Sequence, residues 1–94
     1  MKRIYWSPTA KASYAAILRY VMDNYPIEVA IKMDDKVERL LSLLLQNKHL
    51  CPASSQLPGI RRCVITKYLS VVYKFRGEAI ELVAFFDNRT DLPV

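Results

Sequence analysis

The sequence predicts an α+β domain of two layers, in which a helical hairpin packs on a mainly antiparallel sheet in the order β-α-α-β-β-β. Residues 8–46 repeat apolar side chains at helical spacing, with one interruption at Pro26. Residues 60–86 contain three short β-rich segments joined by tight turns. The 94 residues are 52% hydrophobic, which is enough for one domain over residues 1–94 with a single core.

The first strand and helix are marked by local signals. A strand is expected from Lys2 to Trp6, where Ile, Tyr and Trp favour extended backbone. Ser7 can then accept a hydrogen bond from a free N–H of the first helical turn, and Pro8 at the first helical position needs no N–H. Pro26 ends the helix, because the residue before a proline is pushed out of the α region. The apolar stripe of this helix consists of Tyr14, Ile17, Leu18, Val21 and Tyr25.

The second helix is expected to fold back on the first. Because the break at Pro26 is short, the two helices form an antiparallel hairpin, and a sheet must cover their apolar stripes. Residues 48–58 are rich in proline, serine and polar side chains, so they are expected to form a loop. The apolar face of the second helix consists of Ala30, Met33, Val37, Leu40, Leu41 and Leu44.

Three further strands are expected at residues 60–67, 69–75 and 79–86, with the turn Arg76-Gly77-Glu78 before the last. Alternation places Tyr73 in the core beside Val71, with its hydroxyl reaching the edge. In the last strand, alternation predicts one face of Ile80, Leu82, Ala84 and Phe86 and another of Glu81, Val83 and Phe85. One face should pack on the helices and the other should be more open.

The layout of charge predicts an anionic or acidic partner. The net charge is +5, and no Asp or Glu occurs from Arg39 to Gly77. This segment carries seven cations, whereas the remainder of the chain has seven cations and nine acids. A surface of one sign attracts phosphate groups or acidic proteins. The seven cations are Arg39, Lys48, Arg61, Arg62, Lys67, Lys74 and Arg76.

Several classes of protein and site are not expected. No apolar run approaches the roughly 18 residues that span a bilayer, and the start MKRIYWSP lacks the apolar segment of a signal peptide. The cytoplasm is therefore the expected location. Cys51, Cys63 and the lone His49 fall short of the four ligands of a structural zinc site, so neither a metal nor another cofactor is expected. Because disulfides are rare in cytosolic proteins, both cysteines are expected to be half-buried free thiols.

The order of these motifs resembles the RelE/ParE toxin superfamily of bacterial type II toxin–antitoxin modules. The motifs are WSPTA at the end of the first strand, the helical hairpin, RRCVITKYLSVVYKF and IELVAFFDNR, which together cover essentially the whole chain. The resemblance implies a small cytoplasmic toxin that causes growth arrest, in the manner of plasmid stabilization systems, and that a cognate antitoxin holds inactive. It implies one of two activities: inhibition of DNA gyrase, or ribosome-dependent cleavage of messenger RNA.

The resemblance also implies functional residues. For cleavage it implies cations on the hairpin strands and an arginine after the last strand, which makes Arg61, Arg62 and Arg89 the candidate catalytic residues. Arg61 and Arg62 are neighbours in one strand, so one of the two must face the open side. The candidate contacts with the target or the antitoxin are Arg61, Arg62, Lys67, Tyr68, Lys74 and Arg89.

Two departures from the pattern favour gyrase inhibition. Ser70 stands where the messenger-RNA-cleaving members have an arginine, and Cys63 stands where a second lysine is expected. Because the loss of one charge-stabilising group commonly costs on the order of 10²–10³ in rate, we expect a ParE-like inhibitor. The endoribonuclease remains the alternative, so whether the protein is an enzyme stays open. A small basic nucleic-acid-binding module is a more distant alternative, since the second helix begins with the acidic PIEVAIKMDD instead of a lysine-rich segment.

Overall fold

A computed structural model of the chain describes residues 3–88. Within this range the sheet has the strand order β1-β4-β3-β2, in which β2, β3 and β4 are antiparallel and β1 runs parallel to β4. The predicted class, a two-layer α+β domain with a helical hairpin on a mainly antiparallel sheet, is confirmed. In residues 3–88 no helix is long and apolar enough to cross a membrane. The elements are β1 (Ile4–Trp6), α1 (Pro8–Asn24), α2 (Ile27–Gln46), β2 (Arg61–Thr66), β3 (Leu69–Arg76) and β4 (Ala79–Asp87).

The core lies between the helical hairpin and one face of the sheet. The predicted face of α2 is confirmed, since Ala30, Val37, Leu41 and Leu44 are buried. The stripe of α1 is used in part: Val21 is buried and Tyr14 and Ile17 pack against the core, whereas Tyr25 stays exposed. The sheet contributes Cys63, Leu69, Val71, Tyr73, Ile80, Leu82 and Phe85.

Aromatic rings join the start of α1 to the sheet and to α2. The ring of Trp6 stacks on Phe85 with centroids 5.2 Å apart and meets the edge of Tyr14 at 5.6 Å. The Tyr14 hydroxyl donates a hydrogen bond to Asp34 Oδ1 of α2 at 2.6 Å. Burial, together with the Asp34 carboxylate, raises the pKa of Tyr14. Trp6 therefore packs at the junction of β1, α1 and the sheet.

Ser7 caps α1 and also bonds to the sheet. Its Oγ accepts a hydrogen bond from the Ala10 N–H at 3.0 Å, with Pro8 in the first turn, as predicted. The same hydroxyl donates to the Val83 carbonyl of β4 at 2.8 Å. Because β1 pairs with β4 only as far as Leu82, Ser7 satisfies a backbone group that β1 does not reach.

Ser13 satisfies the next backbone group along this edge. Its Oγ accepts a hydrogen bond from the Phe85 N–H at 2.9 Å. Ser13→Ala leaves that N–H without its partner, so we expect the free energy of unfolding in urea to fall by about 1–2 kcal/mol. Ser42→Ala, at an exposed position of α2, is the matched control and should change it by less than about 0.5 kcal/mol. Equal stabilities of the two variants would contradict this role of Ser13.

A β-bulge in β4 changes which side chains face the core. Alternation predicts that Phe86 shares the face of Ile80 and Leu82. In the structure the pairing with β3 shifts at Val83, which has no Cα partner. One extra residue reverses the alternation beyond it, so Phe85 lies in the core and Phe86 is exposed. The predicted facing of these two phenylalanines is therefore wrong.

The loop between α2 and β2 is covalently attached to the sheet. Cys51 and Cys63 form a disulfide, with their Cα atoms 5.3 Å apart. The prediction of free thiols is therefore wrong. The loop folds back along β2, where Ala53 pairs with Arg61, and this return brings together two cysteines separated by 12 positions. The residues next to Cys51 and Cys63 in the sequence contain no signal that predicts this disulfide.

Candidate functional site

Tyr73 on the core face of β3 forms hydrogen bonds to the loop between α2 and β2. Its side chain is fully buried, and its hydroxyl donates to the Lys48 carbonyl at 2.8 Å and accepts from the Cys51 N–H at 3.4 Å. Burial raises the pKa of Tyr73, although the Cys51 hydrogen bond and the Arg61 charge lower it. The prediction of a core tyrosine with its hydroxyl at the edge is confirmed. Both of these hydrogen bonds join the Tyr73 hydroxyl to backbone groups of the loop.

The sheet face turned away from the helices carries a polar network. We call it the open face, and its residues on β2, β3 and β4 include Arg62, Val64, Ser70, Val72, Lys74, Ala84 and Phe86. Asn88 Nδ2 donates to Ser70 Oγ at 2.9 Å, and Arg62 Nη2 donates to Asn88 Oδ1 at 2.9 Å. Ser70 is fully buried beneath these side chains. Of the two candidate arginines on β2, Arg62 is thus the one that lies on the open face.

Exposed apolar side chains flank the network. Val64, Ser70 and Phe86 are Cα partners in a row across β2, β3 and β4. Val64 is 68% exposed and Phe86 is 38% exposed. Apolar groups beside an arginine are typical of the surfaces with which proteins contact other proteins. The open face therefore has the chemistry of a protein-docking surface.

Lys74 lies at the other end of the open face, where one carboxylate is shared between two cations. Lys74 Nζ is 4.0 Å from Glu81 Oε2, and Arg76 Nη1 is 3.9 Å from Glu81 Oε1. The Arg76 guanidinium also lies 4.8 Å from the centroid of the Tyr5 ring on β1. The charge of Lys74 is consequently compensated in part by its cross-strand neighbour.

Arg61 points to the opposite side of the sheet, into a group that we call the Phe75 cluster: Lys48, His49, Arg61 and Phe75. Arg61 Nη1 donates to the Cys51 carbonyl at 2.6 Å. Its guanidinium carbon lies 5.5 Å from the Phe75 ring centroid, and Lys48 Nζ lies 4.9 Å from it. The His49 ring meets the same ring edge-on at 5.0 Å. The structure thus separates Arg61 from Arg62, because neighbouring residues of a strand face opposite sides.

A groove of about 560 Å³ opens between the helical hairpin and the turn that joins β2 to β3. We call it the hairpin groove. Its apolar lining is Ile17, Val21, Tyr25, Val29, Met33, Tyr68 and Leu69, and its charged lining is Lys32, Lys36, Lys67 and Asp87. Lys67 Nζ lies 5.0 Å from the centroid of the Tyr68 ring. Two of the predicted contact residues, Lys67 and Tyr68, are therefore brought together at this groove.

The predicted residues thus fall in three places: Arg62 and Lys74 on the open face, Arg61 in the Phe75 cluster, and Lys67 with Tyr68 at the hairpin groove. Arg89 lies outside the described residues. Sequence reasoning missed Asn88, although its place in the FDNR motif marks it as a polar residue at the end of β4. It also missed Phe75, because alternation assigns that ring to the core face and does not show that the core stops before it.

Fold and surfaces together define a small basic domain with an open sheet face and an apolar groove. The family model described as ParE toxin of type II toxin–antitoxin system, parDE, matches residues 4–92. The chain belongs to this family and is a toxin of a type II toxin–antitoxin system. The predicted membership of the RelE/ParE superfamily is confirmed.

Solved structures of other toxins share the fold. The chromosomal ParDE system from P. aeruginosa matches with a TM-score of 0.78 at 20% identity, covering 93% of this chain and 96% of that one. The YoeB dimer from Staphylococcus aureus matches with a TM-score of 0.62 at 22% identity, covering 89% and 93%. The E. coli DinJ–YafQ toxin–antitoxin complex matches with a TM-score of 0.64 at 12% identity, covering 96% of each chain. A search of the curated proteins found no match.

Proposed function

We propose that this toxin is a ParE-like inhibitor of DNA gyrase, which it contacts through the open face. The observation that carries the proposal is the row of Val64, Ser70 and Phe86. Two exposed apolar side chains flank a buried serine there. Cleavage of a phosphodiester needs positive charge concentrated around the phosphate, whereas docking on a protein needs apolar groups beside a few charges. The row of Val64, Ser70 and Phe86 has the apolar groups that docking on a protein needs.

The charges of the open face support the same function. Among the described residues of this face, Arg62 is hydrogen-bonded to neutral partners, and Lys74 shares Glu81 with Arg76. Cys63, at the position where a second lysine is expected, is turned into the core and bonded to Cys51. Of the two positions that lack a cation, Ser70 has the Arg62 guanidinium at 3.4 Å, whereas Cys63 adds no charge to the open face.

A ribosome-dependent messenger RNA endoribonuclease is the second candidate. The observation that favours it is the exposed guanidinium of Arg62 beside Asn88, since arginine and an amide together can hold a phosphate. In that function the protein is an enzyme, with Arg62 and Arg89 as phosphate-binding residues. Arg61, on the other side of the sheet, would not share their substrate.

We propose further that a cognate antitoxin docks in the hairpin groove with a segment that is apolar and carries scattered acids. Apolar side chains would fill the groove, and carboxylates would meet Lys32, Lys36 and Lys67, which outnumber Asp87. Complementary charge of this kind raises the association rate and fixes the register of a partner. Similar structures that include toxin–antitoxin complexes support a partner of this type.

Reversal of two groove charges tests the antitoxin site. Lys36→Glu with Lys67→Glu should weaken binding of the purified antitoxin by about tenfold or more at low salt and flatten its salt dependence, because both carboxylate contacts become repulsive. Titration calorimetry at several salt concentrations measures both effects. Lys11→Glu, at an exposed position of α1 outside the groove, is the control. An affinity that does not respond to salt would contradict the electrostatic part of the proposal.

We propose that residues 1–94 act as one toxin domain in the cytoplasm, where both candidate targets lie. The match of the family model to residues 4–92 supports a domain of this extent. Growth arrest by the toxin when its antitoxin is lost would favour plasmid stabilization, as the family resemblance implies.

A further inference from the structure

We propose that the Phe75 cluster is a second binding site, which takes single-stranded nucleic acid: Lys48 and Arg61 contact backbone phosphates, and a base stacks on Phe75. The site goes beyond the docking of gyrase on the open face, because Phe75 lies on the other side of the sheet. Its cross-strand partner is Ile80, which belongs to the core. The cluster continues the core face of β3 beyond the point where the helices cover it.

An exposed aromatic ring beside two cations is the central feature of the cluster. On the same face of β3, Val71 and Tyr73 are buried, whereas Phe75 is 37% exposed. Lys48 Nζ and the Arg61 guanidinium carbon lie 4.9 and 5.5 Å from its centroid. Proteins that bind single strands without sequence preference combine these two elements, with cations along the backbone and aromatic rings under the bases.

The positive charge of the cluster is poorly compensated. Within residues 3–88, Arg61 forms no ion pair with a carboxylate, and its hydrogen bond to the Cys51 carbonyl uses one of five N–H donors. Lys48 Nζ lies 3.9 Å from Glu78, but the Glu78 side chain is 84% exposed. A carboxylate this exposed holds its partner weakly, because water screens it, so Lys48 can exchange the carboxylate for a phosphate.

The loop that carries Lys48 and His49 is already ordered. The disulfide joins Cys51 to β2, the Tyr73 hydroxyl donates to the Lys48 carbonyl, and Arg61 donates to the Cys51 carbonyl. These attachments fix the loop backbone at positions 48–51 beside the ring before any ligand arrives. A preorganised site does not lose affinity to the ordering of its own backbone.

The cluster suits a nucleic acid strand better than an acidic peptide. The ring offers a flat surface for a base, whereas the groove with enough apolar surface for a peptide lies at the other end of the β2–β3 hairpin, around residues 66–69. DNA and RNA single strands share the chemistry of base and phosphate, so the test includes one of each.

Fluorescence anisotropy with labelled thymidine and uridine oligonucleotides of roughly 12 residues, within the range of such sites, tests the proposal. Lys48→Gln should weaken binding and reduce the slope of log affinity against log salt by about 0.7, which is the contribution of one phosphate contact to a single strand. Phe75→Leu should weaken binding by about fivefold or more and leave the slope unchanged, because it removes stacking and no charge. Lys11→Gln, which removes one charge at an exposed position of α1 outside both sites, is the matched control.

Thermal melting of each variant checks that it folds. If Lys48→Gln does not fold, Arg61→Gln serves as the second charge variant. Stronger binding of one oligonucleotide identifies DNA or RNA as the source of the strand, and equal binding of both supports the shared chemistry. The proposal is overturned if neither oligonucleotide binds, if Lys11→Gln loses as much affinity as Lys48→Gln, or if Phe75→Leu binds like the unmodified protein.

Discussion

Production of this chain without its antitoxin is expected to arrest bacterial growth, and the purified protein is expected to abolish supercoiling by DNA gyrase while leaving messenger RNA on translating ribosomes uncut. The physical reason is the composition of the open face, where Val64 and Phe86 are exposed and Ser70 stands buried in place of a phosphate-binding cation. Colony counts after induction, a supercoiling assay on relaxed plasmid and primer extension on translated messenger RNA measure the three outcomes.

Two exposed residues of the open face offer diagnostic variants. Val64→Asp and Arg62→Glu should each weaken gyrase inhibition by about 30-fold or more, since a central contact residue of an interface contributes about 2 kcal/mol or more. Both side chains are exposed, so the fold should tolerate the changes. Lys11→Glu, on the exposed side of α1, should inhibit gyrase like the unmodified protein.

If the protein is an endoribonuclease instead, different results are expected. Codon-site cleavage of messenger RNA by the unmodified protein would overturn the gyrase proposal and make Arg62 a phosphate-binding residue. Arg62→Ala and Arg89→Ala should then each reduce cleavage by about 10²–10³, as expected for the loss of a group that stabilises transition-state charge. Normal growth at high soluble expression would contradict a toxic activity of either kind.

Reduction of the Cys51–Cys63 disulfide is expected to lower the free energy of unfolding by about 3 kcal/mol. The bond joins residues separated by 12 positions, and closing a loop of about 15 residues in the unfolded chain contributes roughly 3 kcal/mol. For a domain of this size the melting temperature should fall by about 12–24 °C. Thermal and urea denaturation of the oxidised and reduced protein measure both quantities.

The double variant Cys51→Ala/Cys63→Ala is the control for reduction. It should have nearly the stability of the reduced protein and should not respond to a dithiol. Because both cysteines are buried, the dithiol is best added to the unfolded protein before refolding, and the free thiols are then counted. Identical transitions of the oxidised and reduced protein would show that the loop is held by its hydrogen bonds alone.

The sequence predicted many individual residues of the candidate site, but it did not predict which of them lie together. Alternation alone requires Arg61 and Arg62 to lie on opposite faces, and the turn position of Lys67 makes it accessible. The partners of these residues come from distant parts of the chain. Asn88 reaches Arg62 from the end of β4, and Lys36 joins Lys67 from α2, so neither partner could be found before the packing of the elements was known.

The helices, the strands and the family could be inferred from local patterns in the sequence. Ser7, Pro8 and Pro26 set the ends of α1 because capping and steric exclusion act within one helical turn. The apolar spacing of α2 determined its buried face for the same local reason. The motifs WSPTA, RRCVITKYLSVVYKF and IELVAFFDNR, in their order and spacing around the helical hairpin, predicted the superfamily that the family model confirms.

Features that depend on contacts between distant residues could be found only in the folded structure. Ser13 bonds to Phe85 across the helix–sheet interface, and the extra residue at Val83 turns Phe85 inward. The disulfide forms because the loop returns along β2. Each of these contacts forms only when the hairpin and the sheet are packed together. Because their stabilisation comes from that packing, no local sequence pattern predicts them.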